Sequence, residues 1–197
     1  MQAVFVFSVF ILLSFLPLCA QVTIQNGDFI LFADKSDALS RSIDNVTKQN
    51  GVGAYSHIGL IEQEGNEFWL LHAAPQNGSE RVLLKDYLKH KKKGQYMAIY
   101  RLKDAYQYSI PHAINTAKGL MGKSYNFTYI LNDTSYYCSD LLQRSFASDS
   151  IFELLPMTFK DPLTGKTDDT WVAYYRQLQI EIPEGSLGCN PNGMAAS

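Results

Sequence analysis

The tetrapeptide Glu64-Gly65-Asn66-Glu67 lies between two apolar runs and constrains the fold of this chain more than any other feature. The runs, residues 56–62 and 68–74, are rich in aliphatic and aromatic side chains. A Gly-Asn pair between such runs is a hairpin signal. With Gly65-Asn66 as a two-residue turn, Glu64 opposes Glu67, Gly59 opposes His72 and His57 opposes Ala74. Side chains alternate along a strand, so His57, Gly59, His72 and Ala74 share one face. His57 and His72 become diagonal neighbours, roughly 7–8 Å apart at the backbone. Gly59 has no side chain to fill the space between them. An odd-length loop or a bulge would put the two histidines on opposite faces.

The remaining chain supplies elements of both kinds. Residues 29–32, after the turn signal Asn26-Gly27-Asp28, read as a short strand. Residues 97–102 read as another. Helices are expected over residues 36–48, 82–93, 110–121 (Pro111 in its first turn), 138–147 and 170–178. Adjacent strands can pair antiparallel, which gives an α+β domain. There is no internal repeat and no linker long enough to divide the chain.

Residues 3–18 are apolar and are followed by Cys19-Ala20-Gln21. The run contains Pro17 and is short for a bilayer span, so residues 1–20 read as a secretory signal peptide cleaved after Ala20. Lipidation at Cys19 is the rival, and Leu18 stands where a small residue would be expected. This reading places the protein outside the cytoplasm or in the cell envelope, with no stable membrane span once the leader is gone. Residues 1–20 carry no charged side chain, so the net charge of −2 belongs to the rest of the chain. That balance argues against a nucleic-acid partner. Asn45, Asn77, Asn126 and Asn132 each begin an Asn-X-Ser/Thr sequon.

Chemistry points to Cys138. In Tyr136-Tyr137-Cys138-Ser139-Asp140-Leu141-Leu142 a polar loop turns into an apolar helical pattern. A thiol in the first turn of a helix sees free backbone N–H groups and the positive end of the helix dipole, and both favour the thiolate. A cysteine nucleophile also needs a base, and the base needs an orienting partner. Of four histidines, His90 lies in the basic run 89–93 and His112 has no evident partner. That leaves His57 as the base and His72 as its orienting group, with the Cys138 N–H as an oxyanion donor. Cys138, His57 and His72 are therefore the expected catalytic residues. Zinc held by one Cys and two His competes, but no CxxC or HExxH spacing exists and the residues are widely scattered. No cofactor or metal is expected.

These motifs resemble a known family. Gly27-Asp28-Phe29-Ile30-Leu31-Phe32, Tyr55-Ser56-His57-Ile58-Gly59-Leu60-Ile61, Leu71-His72-Ala73, Gly122-Lys123-Ser124-Tyr125 and Tyr137-Cys138-Ser139-Asp140-Leu141 are similar to the YiiX/YebB-like branch of the NlpC-type cysteine hydrolases. The tail from Trp171 to Ser197 is also similar. The resemblance implies a permuted papain-like fold, with an antiparallel sheet packed on a cysteine-bearing helix. It implies a triad of Cys138, His57 and His72, and substrate- or oxyanion-side roles for Tyr125 and Ser139. His72 departs from the carboxylate common at the third position, and Asn126 stands where an aspartate is common. The resemblance also implies amide cleavage, with a cell-wall peptide or another acyl or amide compound as substrate. A lipid acyl hydrolase or transferase of the same fold, or an inactive binding module, are the alternatives.

Overall fold

The computed structural model describes residues 23–34, 38–49, 51–91 and 95–197. The expected leader, Cys19 and Lys92-Lys93 of the basic run lie outside these residues.

Strand β1 (Phe29–Ala33) is buried along its whole length. Phe29, Leu31 and Ala33 enter one apolar cluster, while Ile30 and Phe32 enter another. A strand covered on both faces reads as a continuous apolar run rather than an alternating one. β1 pairs antiparallel with β2 (His57–Glu64) on one side and β5 (Tyr96–Tyr100) on the other. β2 turns into β3 (Glu67–Ala74) with Glu64 opposite Glu67, the register expected from the Gly65-Asn66 turn. The sheet is completed by β4 (Gly78–Leu83), giving the order β4-β3-β2-β1-β5.

Residues 78–83 were expected in part as the start of a helix, and they form this strand instead. The helix that follows, α2, covers only Leu84–Lys89. β4 is held by polar pairs, which hide it from an apolar alternation search. Arg81 bonds Glu62 and Glu64 at 2.6 and 2.8 Å, and its guanidinium lies 3.8 Å from the Trp69 ring centroid. Gly78 has φ +71°, and a side chain there would collide with the Lys123 carbonyl. Only glycine accepts that backbone approach. The contact matters because Ser79 N–H then donates to Lys123 O and Gly122 N–H to Ser79 O, both at 2.8 Å.

Helices cover the two faces unequally. α2 lies over Ile30, Phe32, Ile61 and Leu70. On the other face, α3 (Ile110–Gly119) packs beside α4 (Cys138–Ser145), and α4 lies against β2 and β3. Leu141 and Leu142 are fully buried there. Each such side chain stabilises the fold by about 1.5–3 kcal/mol. α1 (Ala38–Thr47) and α5 (Asp169–Leu178) pack together around Phe159, Trp171 and Tyr175. Two short pairings, β6 (Ser124–Tyr125) with β7 (Ser135–Tyr136) and β8 (Leu155–Pro156) with β9 (Leu187–Gly188), flank the start of α4 in the chain. A terminal helix, α6 (Pro191–Ala196), ends the molecule. The architecture is the α+β, antiparallel arrangement expected. Among the described residues no helix is long and apolar enough to cross a membrane.

Candidate active site

Cys138 is the first residue of α4, as its sequence position suggested, and the extended backbone of Tyr137 (φ −95°, ψ 169°) leads into it. The thiol is 5% exposed. Burial pushes its pKa up to about 11, opposed by the backbone N–H groups of Ile58, Ser139 and Cys138 itself, which face the sulfur. The helix start therefore favours the thiolate without overcoming desolvation.

The Ile58 N–H is free for this because β2 and β3 part company. Their paired register runs from Glu64–Glu67 to Leu60–Leu71 and stops there. The Ile61 N–H points at β1, where Asp28 O accepts it at 2.8 Å. Alternation then turns the Ile58 N–H towards the β3 side, beyond the last pair. The sulfur meets the sheet at this opening, one residue from His57.

His57 and His72 share a face, as the hairpin parity required. His57 Nε2 lies 3.0 Å from His72 Nδ1, with ring centroids 5.1 Å apart and nearly perpendicular. Gly59 makes room: a Cβ there would sit 2.5 Å from Leu70 Cδ1 and 3.1 Å from His72 Cβ. Burial lowers His57 to about 3, and the neighbouring His72 lowers it further in the same direction. His57 is thus a neutral imidazole at ordinary pH.

The next partner was missed by sequence reading. His72, fully buried, lies opposite Glu80 across the β3–β4 pair, and its Nε2 is 3.3 Å from Glu80 Oε1. The oxygen sits off the axis of an N–H at Nε2, so this is a close polar contact rather than a regular hydrogen bond. The contact with His72 is the main cause lowering the Glu80 pKa, with Asn77 Nδ2 adding bonds of 3.1 and 3.0 Å to its two oxygens. Reading Pro75-Gln76-Asn77 as a hairpin loop would have placed Glu80 opposite His72.

Tyr87 on α2 was also missed. Its ring stacks edge-on against His72 at 4.9 Å, and burial pushes its hydroxyl up to about 12, with Cys138 and Glu80 adding to the shift. The same hydroxyl therefore senses the thiol and the carboxylate. Tyr125 lies near the thiol too. Burial drives its pKa well up, Cys138 adds to this, and a bond with Tyr129 opposes it. Ser139 Oγ donates to Cys189 O at 3.0 Å, which ties the start of α4 to the segment that follows β9. Asn126 folds its own loop, accepting from Thr128 N and donating to Ile130 O. Among the described residues the two thiols, Cys138 and Cys189, are free. Among the described residues no group of three or more His, Cys, Asp or Glu side chains could hold a metal ion. Beyond Cys138 and Ser139 opens a cavity of about 700 Å³.

Nδ1 of His57 is left as an acceptor nitrogen. A carboxylate beside His72 Nε2 favours a proton on that nitrogen, which leaves His72 Nδ1 an acceptor. His57 Nε2 must then carry its proton towards His72, and His57 Nδ1 keeps a lone pair. Such an arrangement can take a proton from a thiol and spread the resulting charge along His57, His72 and Glu80.

Comparisons with known proteins agree with the architecture. The family model described as permuted papain-like amidase enzyme, YaeF/YiiX, C92 family, matches residues 23–197. A crystal structure from Escherichia coli O157:H7, titled metalloprotein yiiX, superposes with a TM-score of 0.64 at 21% identity. The match covers 86% of this chain and 91% of that one, and it carries the fold alone. The curated proteins hold no match.

Proposed function

The chain belongs to the permuted papain-like amidase family YaeF/YiiX, and on that premise we propose that it is a thiol hydrolase that cleaves an amide bond through an acyl-enzyme on Cys138. The observation that carries this reading is the 3.0 Å contact between His57 Nε2 and His72 Nδ1, continued to Glu80, on a strand whose next residue, Ile58, turns its N–H to the Cys138 sulfur at the start of α4.

In the resting site both partners are neutral, the thiol because its pKa lies high and the imidazole because its pKa lies low. Substrate binding brings a carbonyl carbon to the sulfur. His57 Nδ1 takes the thiol proton as the S–C bond forms. The imidazolium is stabilised through His72 by the Glu80 carboxylate, a stronger arrangement than a neutral histidine alone would give. The backbone N–H groups of Cys138 and Ser139 face the sulfur and are the natural donors to the developing oxyanion, with the Tyr125 hydroxyl as a neighbouring polar group. The C–N bond then breaks and His57 returns the proton to the leaving amine. Water, deprotonated by His57, attacks the thioester and regenerates the thiol.

An exported form acting on a cell-wall peptide is the narrower version of this reading, suggested by the leader-like residues 1–20 and by the resemblance. Mass spectrometry of cell-wall peptides treated with wild type and with Cys138→Ala tests that version, and identical digests would remove it. The broader reading is tested by trapping. Acid-quenched protein incubated with an acyl amide or an activated acyl ester should gain the acyl mass on the Cys138 peptide in wild type. An adduct absent from Cys138, or unaffected by His57→Ala, contradicts it.

A further inference from the structure

The loop between β6 and β7 is built around one strained tyrosine. Tyr129 has φ +57°, a left-handed backbone that bulky residues avoid. The residues on either side of it are held fast. Asn126 Oδ1 accepts from Thr128 N and Oγ1 at 3.0 and 2.8 Å, and Asn126 Nδ2 donates to Ile130 O at 2.8 Å. From α5, the Tyr174 hydroxyl donates to Phe127 O at 2.6 Å and the Tyr175 hydroxyl to Thr128 O at 3.1 Å. Such outliers persist where the surrounding structure over-determines them, and they concentrate at functional sites.

The strain delivers the Tyr129 side chain to the nucleophile's surroundings. Its ring stands 5.3 Å from that of Tyr137, the residue before Cys138, and 6.1 Å from that of Tyr174. Tyr125, Tyr129 and Cys138 line one cavity. The Tyr129 hydroxyl is buried, it bonds the Tyr125 hydroxyl, and Tyr174 is its other polar neighbour. Tyr174 has its own hydrogen committed to Phe127 O, so towards Tyr129 it can only accept. Tyr129 carries one hydrogen and can turn it either to Tyr174 or to Tyr125.

We propose that Tyr129 is a positioning residue for acyl transfer: in the resting site Tyr125 donates to Tyr129 and Tyr129 to Tyr174, and as the substrate carbonyl oxygen gains charge the Tyr125 hydrogen turns to that oxygen while the Tyr129 hydrogen turns to the Tyr125 oxygen. This rests on the thiol-hydrolase reading and adds to it a group that touches neither substrate nor sulfur. No O–H bond breaks and no proton changes owner; only the acceptors change. A hydroxyl that accepts a hydrogen bond is a stronger donor, so the relay stabilises the oxyanion more than Tyr125 would alone. The gain exists only once charge has developed, so it acts on kcat rather than on substrate binding.

The test uses the full chain with p-nitrophenyl acetate as acyl donor, read by nitrophenolate release and by the acetyl mass on the Cys138 peptide. Tyr129→Phe keeps the ring and removes the hydroxyl. It should lower kcat by about 5- to 20-fold with KM nearly unchanged, the scale of one neutral hydrogen bond made in the transition state. Tyr125→Phe should lower kcat at least as much, and adding Tyr129→Phe to that variant should cost no more than about twofold further, because Tyr129 acts through Tyr125. Alkylation of Cys138 by iodoacetamide attacks a saturated carbon and builds no oxyanion, so Tyr129→Phe should be alkylated at the wild-type rate. A wild-type kcat in Tyr129→Phe, or a penalty that persists in full on top of Tyr125→Phe, overturns the assignment and leaves the hydrolase reading intact. So does alkylation slowed in parallel with acylation, which marks a disturbed fold. Absence of acetyl from Cys138 in wild type overturns the hydrolase and the relay with it. Should Tyr129→Phe fail to fold, a monofluorotyrosine introduced at Tyr129 decides. Its more acidic hydroxyl is the stronger donor, so kcat should rise, and an unchanged or lower kcat overturns the relay.

Discussion

His72 and Glu80 face each other across adjacent antiparallel strands, with Nε2 3.3 Å from Oε1. This contact turns a pair of histidines into a chain that ends on a carboxylate, and it gives His72 a direction for its protons. Glu80→Gln keeps the shape and removes the charge. The expected result is a kcat lowered by roughly 10- to 100-fold with KM nearly unchanged, a smaller loss than removal of an acid that directly contacts the base. Glu80→Asp should recover part of it. Steady-state kinetics on one amide substrate separates the two parameters, and an equal rise in KM would instead mark a structural defect.

His57 links the site to stability. Burial, and then His72, hold its folded pKa near 3, against an ordinary value of 6.5. Between those values the unfolded chain binds more protons than the folded one. Stability therefore declines as pH falls from about 6.5 towards 3, with a slope from this group no steeper than about 1.4 kcal/mol per pH unit. In His57→Gln that part of the slope should vanish. Denaturant titrations at pH 7, 5.5 and 4.5 measure it, and parallel pH curves for wild type and variant would show that the imidazole titrates normally.

Gly59 is a packing requirement of the histidine pair. An added Cβ meets Leu70 Cδ1 at 2.5 Å and His72 Cβ at 3.1 Å, and His72 is fully buried with no freedom to retreat. Gly59→Ala should destabilise the protein by about 1–3 kcal/mol and reduce turnover beyond what the stability loss explains. Urea unfolding midpoints together with kcat at low temperature check both parts.

The sequence carried some of this plainly. Gly65-Asn66 set the hairpin register, and parity alone put His57 and His72 on one face. The change of pattern at Cys138 located the start of α4 to the residue. Glu80 was hidden because β4 is stabilised by Arg81 with Glu62 and Glu64, not by apolar alternation, so residues 78–81 gave no strand signal and Val82-Leu83 read as a helix start. Tyr87 was hidden because it reaches the site from α2, an element of only six residues. The cavity assembles residues from α1, the loop around Tyr129 and the segment near Cys189, which no local pattern brings together.

The most direct test of the thiol–imidazole pair is the rate at which iodoacetamide alkylates Cys138, followed on its own peptide by mass spectrometry from pH 5 to 11. The account predicts that wild type, although its buried thiol has a pKa near 11, reacts measurably at neutral pH because His57 accepts the thiol proton as the S–C bond forms. It predicts that His57→Ala loses about 100-fold or more at pH 7 and regains reactivity only as pH approaches 11. Equal rates at pH 7 in the two proteins would contradict it, because the sulfur would then be reacting without help from the imidazole.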